Sequence, residues 1–337
     1  MQINTQSFIL PHELHAAFPP ERRGIRRDHV RMMTIDRKTG KVIHDSFNHL
    51  ADYVKPGDMI VLNNSRTIPA ALQATIDNTS QEIEVRLARS LSETSWEALV
   101  LSANVKIGDC LHFSDELSAV VTDIKRDSPL LVLSFSISGL SLIQHVYSLG
   151  EPIRYEYIEK SWDLHYYQNV YGTVPGSVEL ASAGRAFSWE MLLDLQKRGI
   201  QLSYLQLHTG LSYLNDNDQL SPEDNIERYD IPKETMAAVL KTKATGGRVI
   251  AVGTTVVRAL ESAVSTGIFS GETALYIDAA FPLKIVDGII TGFHEPEASH
   301  LDMLTAFIKP EILFDAYGEA IREKYLWHEF GDINFIV

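Results

Sequence analysis

Between Lys55 and Ser136 short apolar or β-branched runs alternate with turn residues. The runs are Met59–Leu62, Glu82–Leu91, Trp96–Leu101, Leu111–Phe113, Ala119–Ile124 and Leu130–Phe135. Runs of this length and spacing predict a small antiparallel barrel or sandwich. Two of the turns echo each other: Lys55-Pro56-Gly57-Asp58-Met59-Ile60 and Lys106-Ile107-Gly108-Asp109-Cys110-Leu111 share K-x-G-D-x-aliphatic. Two copies are too few for a repeat architecture. After Gly139 the period changes to that of helices, predicted at Leu140–Leu149, Trp189–Arg198, Lys233–Thr242, Val256–Thr266, Ser299–Phe307 and Pro310–Lys324. Strands are predicted between them at Leu202–Gln206, Val249–Val252, Ala274–Ile277 and Ile333–Val337. A further pair, Val30–Asp36 and Val42–Phe47, flanks a turn at Asp36-Arg37-Lys38-Thr39-Gly40. Alternating helix and strand argues an α/β layer structure. The expectation is an α/β domain formed by residues 1–54 and 139–337, split by an inserted β-barrel domain at 55–138.

The most informative single stretch is Gly246 to Ala263. Arg248 to Val252 reads as a buried strand, Gly253 breaks it, and Val256, Val257, Leu260 and Val264 follow at helical spacing. Thr254 and Thr255 fall where that helix begins. A strand, a tight turn with two hydroxyls and a helix N-terminus shape a pocket for an anion or a polar small molecule. An ordinary βα connection capped by threonine has the same pattern.

Composition narrows the class. Apolar residues make up 45% of the 337 and charged residues 22%, normal for a globular protein. No run has the ~18 apolar residues of a membrane span, and the first residues carry no secretory pattern. Cys110 is the one cysteine, which excludes an internal disulfide and a cysteine metal cluster. These features together predict a cytoplasmic protein. The formal charge of −14 argues against a long nucleic-acid footprint, so any such contact must be local. Arg22, Arg23, Arg26, Arg27 and Arg31 form one basic patch, either phosphate-binding or a solvated loop.

Familiar motifs are missing: there is no G-x-G-x-x-G, Walker A loop or G-x-S-x-G elbow. His12-Glu13-Leu14-His15 is one residue short of H-E-x-x-H, so the two histidines cannot share a helix face. It reads as surface, and no metal site is expected. Candidate chemistry lies in polar loops. Leu62-Asn63-Asn64-Ser65-Arg66-Thr67 ends a strand, and Asn63, Ser65 and Arg66 could hold a ribose or carboxylate. Tyr167 to Gly172, Pro175-Gly176-Ser177-Val178 and Ala181 to Arg185 are dense in small residues that permit close approach of a ligand. Tyr171 could stack a purine or simply belong to the core. His208 and His294 each sit in a loop after an apolar run, where α/β proteins keep their sites. Asp332 precedes the last strand and is a further pocket candidate.

In order along nearly the whole chain, these stretches resemble the S-adenosylmethionine:tRNA ribosyltransferase-isomerase family of queuosine synthesis. The likeness is carried by Phe8-Ile9-Leu10-Pro11, Asp36 to Gly40, Pro56-Gly57-Asp58, Leu62 to Ala70, Tyr167 to Tyr171 and Pro175 to Val178. It continues through Leu207-His208-Thr209-Gly210, Arg248 to Ser262, Val286-Asp287-Gly288, Phe293-His294 and Phe330-Gly331-Asp332. The resemblance implies an α/β barrel-like domain with an inserted small antiparallel β-barrel. It implies S-adenosylmethionine as co-substrate, without a metal, and the anticodon loop of tRNA as partner. The reaction implied moves and isomerises the ribosyl group onto 7-aminomethyl-7-deazaguanine, giving epoxyqueuosine and releasing adenine and methionine. On the matching motifs, Asn63, Arg66, Tyr171, Ser177, Thr254, Thr255, Arg258 and Asp332 are the binding candidates, and His208 and His294 the proton carriers.

The sequence also departs from the family pattern. P-T-A-G-L-H-F reads Ala181-Ser182-Ala183-Gly184-Arg185-Ala186-Phe187, I-P-A-R has Ala71 in place of its arginine, and P-L-P-P-Y-I reads Ile153 to Ile158. Asn225 stands for a histidine, and N-F-H-L-P reads Gly292-Phe293-His294-Glu295-Pro296. Two other readings therefore stand beside the family reaction: a divergent paralogue with a different acceptor or nucleoside, and a nucleoside-binding protein without catalysis.

Overall fold

A strand covered on both faces is mostly apolar, and Met59–Asn63 is buried throughout, with Asn63 at its end as the polar exception. It lies near the middle of a nine-stranded mixed sheet, not in the barrel that its sequence context suggested. The computed structural model describes residues 8–337 except 78, 80, 102, 127, 156, 212, 216, 217, 220–225 and 297, and not the side chains of 213–215 and 218–219. Asn225 lies outside the described residues.

The chain opens with β1 (Arg31–Ile35) and β2 (Val42–Ser46), joined by a turn in which Asp36 Oδ1 accepts from the Lys38 and Thr39 amides and Gly40 takes φ +72°. Next come β3 (Met59–Asn63) and β4 (Ser65–Thr67). Six consecutive strands then close a barrel: β5 (Ala71–Ile76), β6 (Glu82–Ser90), β7 (Ser95–Leu101), β8 (Cys110–His112), β9 (Ser118–Ile124) and β10 (Leu130–Phe135). Its pairings are antiparallel, and alternate residues of β5 and β6 fill its core, as period two requires. The helix α1 (Gly139–Leu149) packs Leu142 and Val146 against that core.

The chain leaves and rejoins the α/β body through a narrow neck. Ala71 and Glu151 exchange backbone hydrogen bonds of 3.0 and 2.8 Å, and β4 pairs in parallel with β11 (Val174–Ser177). At Gly150 any side chain would collide with the Pro69 carbonyl, 1.9 Å from an added Cβ.

The second half supplies α2 (Trp189–Lys197), β12 (Gln201–Leu207), the small hairpin β13 (Tyr213–Asn215) and β14 (Asp218–Gln219), and β15 (Glu227–Asp230). It continues with α3 (Lys233–Ala244), β16 (Val249–Val252), α4 (Thr254–Thr266), β17 (Ser270–Thr273), β18 (Gly288–Thr291), α5 (Ser299–Leu304), α6 (Pro310–Arg322) and β19 (Ile333–Ile336). The strand expected at Ala274–Ile277 is instead β17, four residues earlier, where it pairs with β15. The large sheet runs β17-β15-β12-β3-β16-β18-β19-β1-β2. Within it β12, β3, β16 and β18 are mutually parallel, so their carboxyl ends share one edge of the molecule. Asp58 ties that block at its other end. Its buried carboxylate accepts from the Lys55 and Arg248 amides and from the Arg248 guanidinium. This is the work done by the first K-x-G-D motif.

Candidate functional site

At the carboxyl ends of parallel strands the loops converge, and there α/β folds place their ligands. Val252, Gly253, Thr254 and Thr255 come from the β16–α4 turn, Thr291 to His294 from the end of β18, and Thr209 from the loop after β12. With Glu179 to Ala183, Tyr155, His300, His328 and Glu329 they enclose a polar cavity of about 120 Å³. Gly253, at φ +89°, is the cap residue of α4, and no side chain caps the helix. Thr254 and Thr255 are thus the first helical residues, beside backbone N–H groups that have no partner within the helix. The partial positive charge of a 13-residue helix end therefore lies on the cavity wall.

Two glutamates, Glu179 and Glu329, also line the cavity. Glu329 is buried, and its Oε2 has no hydrogen-bond partner among the described residues. Burial, reinforced by Glu179 and opposed by Arg185, pushes the Glu329 carboxyl well above the usual carboxylate range. Arg258 lines the cavity but is already engaged. It pairs with the buried Glu227 and donates to the carbonyls of Leu275 at 3.1 Å and Thr273 at 3.2 Å. His294 Nε2 lies 2.8 Å from Thr291 Oγ1, and its ring stacks on His300 at 5.1 Å. Burial, with the imidazoles of His300 and His328 nearby, holds His294 well below the ordinary imidazole range. Burial and the nearby Arg258 bring His300 to about 4. Both rings are therefore neutral at physiological pH, and their surroundings resist the charged imidazolium.

His208 lines a different hollow, a cleft of about 480 Å³ between barrel and large sheet, with Arg89, Trp96, Gly176 and Arg228. Its Nδ1 is 2.7 Å from Ser65 Oγ, which in turn meets Ser177 Oγ at 2.6 Å. Ser177 also accepts from the Thr209 amide at 3.1 Å. Thr209 borders both hollows, so a thin polar partition separates them.

The sequence candidates thus divide. Thr254, Thr255, Arg258 and His294 share the first cavity. Asn63 braces its rim: Nδ2 donates to the Leu207 carbonyl at 2.8 Å and to Thr255 Oγ1 at 3.3 Å, while Oδ1 accepts from the Ser65 and Leu207 amides. His208 and Ser177 belong to the partition and the second cleft. Three candidates stand elsewhere. Arg66 donates to the Gly172 carbonyl at 3.3 Å. Tyr171 is core, edge-on to Phe187. Asp332 accepts from the amides of Arg31 and Leu326, closing the loop before β19. Ala186 and Arg185 have structural places as well. Ala186 is buried in the core, and Arg185 donates to the Tyr166 carbonyl and pairs with Glu21. Sequence reasoning passed over Glu179, Glu329, His300 and His328, since none belongs to a local motif and only the fold brings them together.

Fold and cavity are those of an α/β enzyme with an inserted six-stranded barrel and a polar cavity beyond the strand ends. Residues 3–336 match the family described as queuosine biosynthesis protein, and the chain belongs to that family. It is 34% identical, over the full length of both chains, to a protein of Thermosipho melanesiensis named S-adenosylmethionine:tRNA ribosyltransferase-isomerase. It is 33% identical, again over the full length of both, to a protein of the same name from a Sulfurihydrogenibium strain. The crystal structure of the S-adenosylmethionine tRNA ribosyltransferase of Thermotoga maritima superposes with a TM-score of 0.57 at 30% identity, covering 98% of this chain and 99% of that one. No helix among the described residues is long and apolar enough to cross a membrane.

Proposed function

We propose that this protein transfers the ribosyl group of S-adenosylmethionine to 7-aminomethyl-7-deazaguanine in the anticodon loop of tRNA and isomerises it, releasing adenine and methionine and leaving epoxyqueuosine. The observation that carries the reading is the polarity of the first cavity, whose lining includes both a helix N-terminus and two glutamates. S-adenosylmethionine is itself bipolar. Its carboxylate suits the start of α4, and its sulfonium suits the carboxylate of Glu179. The sulfonium acidifies the neighbouring ribose carbon, so a neutral acceptor nearby can take that proton. His294, a neutral imidazole on the cavity wall, is the candidate acceptor. Adenine leaves more readily when a group donates a proton to it, and the Glu329 carboxyl, with an oxygen not otherwise engaged, fits that role. Thr254 and Thr255, which line the cavity, would hold ribose hydroxyls through both steps. The cytoplasm, where tRNA is modified, is the compartment this reaction requires.

A second reading keeps the nucleoside chemistry and changes the acceptor. The arginine patch bears on it, because each member also has a contact within the protein. Arg22 lies over the Trp162 and Tyr166 rings, Arg23 donates to the Phe330 carbonyl, and Arg26 pairs with Asp28. Arg27 pairs with Glu21, and Arg31 lies over Tyr325. Adenine release from S-adenosylmethionine, with and without tRNA carrying the deazaguanine base, separates the cases. Release that requires the tRNA supports the first reading, and tRNA-independent release the second. No release beside an active control enzyme rejects both.

A further inference from the structure

We propose that His15, Glu295 and His328 form a divalent transition-metal site at the rim of the first cavity. The three side chains come from opposite ends of the chain. His15 Nδ1 lies 2.8 Å from His328 Nε2, which lies 3.1 Å from Glu295 Oε1. All three ligand atoms fall within 4.8 Å of one another. Metal bonds of about 2.0–2.2 Å at angles between 90° and 109° put neighbouring donor atoms about 2.8–3.6 Å apart, a range that holds both distances from His328. Two imidazoles and one carboxylate suit Zn²⁺, Fe²⁺ or Co²⁺ rather than Mg²⁺ or Ca²⁺.

Hydrogen bonding alone serves this trio poorly. Nε2 of His328 carries at most one proton, yet it faces both a second imidazole nitrogen and a carboxylate oxygen. A cation satisfies all three lone pairs together. The His15 and His328 rings stack, 21° from parallel with centroids 4.7 Å apart, which holds the two imidazoles in fixed relation.

The backbone holds the donors in place. Residue 15 pairs with residue 327 in a parallel bridge, with Trp327 N–H donating to Leu14 at 2.8 Å and Ala16 N–H to Trp327 at 3.2 Å. The Trp327 indole N–H donates to the His294 carbonyl at 3.3 Å, pinning the loop that carries Glu295. His328 itself has φ +71°, a conformation uncommon for a residue with a side chain. Such strain persists only where the surroundings enforce it, and it concentrates at functional positions. Tyr157 stacks on His328 at 4.7 Å and shields the trio, whereas His328 also borders the cavity. A metal held by three protein atoms keeps open positions for a ligand oxygen or nitrogen entering from there.

Glu295 stands where the resembling family's pattern N-F-H-L-P has leucine. His15 closes the motif His12-Glu13-Leu14-His15, which as a helical zinc motif has the wrong spacing. In the structure only its second histidine joins the site, with partners from elsewhere.

The test titrates Zn²⁺ and Co²⁺ into full-length protein freed of metal by chelator dialysis, read by calorimetry and by the visible absorption of Co²⁺. One equivalent is expected to bind, with a Co²⁺ spectrum showing nitrogen ligands. His15→Gln and Glu295→Gln should each weaken binding by more than the roughly 10–100-fold typical of losing an outer-shell partner. His328→Asn should do the same while tolerating the positive φ. His12→Gln should leave affinity unchanged. Absence of binding to the wild type, or binding that survives His15→Gln and Glu295→Gln in folded protein, overturns the proposal. The readout is metal binding, so it stands or falls apart from adenine release.

Discussion

His208 makes a quantitative prediction. Its ring is packed so closely against Gly176 that an added Cβ there would lie 2.6–2.9 Å from three ring atoms. Burial, with Arg228 adding to it, lowers its pKa from 6.5 to about 4. Between those values the unfolded chain binds a proton that the folded protein refuses, so stability falls as pH falls. At 1.36 kcal/mol per unit, the penalty is about 0.2 kcal/mol at pH 7, about 2 kcal/mol at pH 5, and about 3.4 kcal/mol at its limit. The assay is urea unfolding of the wild type and His208→Gln at pH 7 and pH 5. His294 and His300 contribute to both proteins, so the difference between the two pH dependences isolates His208. The variant should lose about 2 kcal/mol less than the wild type on acidification. Parallel losses, or a His208 ring that titrates near 6.5 by NMR, would refute the reasoning.

Three further outcomes follow from the packing. Gly184→Ala puts a Cβ 1.9 Å from Tyr171 Oη and should cost about 1–3 kcal/mol, partly restored by adding Tyr171→Phe; an unchanged melting curve counts against the contact. Arg258→Ala leaves Glu227 buried without its partner and should destabilise by about 3–5 kcal/mol in a denaturant melt, a loss that a surface pair would not show. Burial alone would raise the Asp58 carboxyl, but the Arg248 guanidinium and the amide donors outweigh it and hold it below 3.8. Its contribution is therefore present above pH 3.8 and lost as pH falls through the lower folded value. Asp58→Asn should cost about 2–3 kcal/mol at neutral pH, with the gap to wild type narrowing in acid.

Helices and strands with strong periodicity were legible in the sequence. Val249–Val252 and the helix after it lie where the pattern puts them, because an all-apolar run followed by 3.6-residue spacing has few alternatives. Met59–Asn63 shows the limit. A short apolar run reads alike in a barrel and in a parallel sheet, and its partners Gln201–Leu207 and Val249–Val252 lie far along the chain. Ala274–Ile277 was displaced because the edge strand β17 is chosen by pairing with β15, and its own residues are polar. At the site, the threonine turn and His294 were readable from local signals. Glu329 and His328 were not, since burial and opposition to distant side chains give them their character. Tyr171 shows the reverse error: a motif tyrosine reads as a base-stacking platform, but here it fills the core.

The neck between Ala71 and Glu151 bears on how the chain comes to be folded as it is synthesised. All six barrel strands lie between Ala71 and Phe135, each beside a neighbour close in sequence, so that body can complete itself as soon as it emerges. Strand β3 is made earlier but must wait for β12 and β16, with its edges bare meanwhile. A self-closing module tethered at both ends by touching backbone keeps residues 63 and 174 near each other during that wait. It shortens the effective loop that the parallel pairing must later bridge.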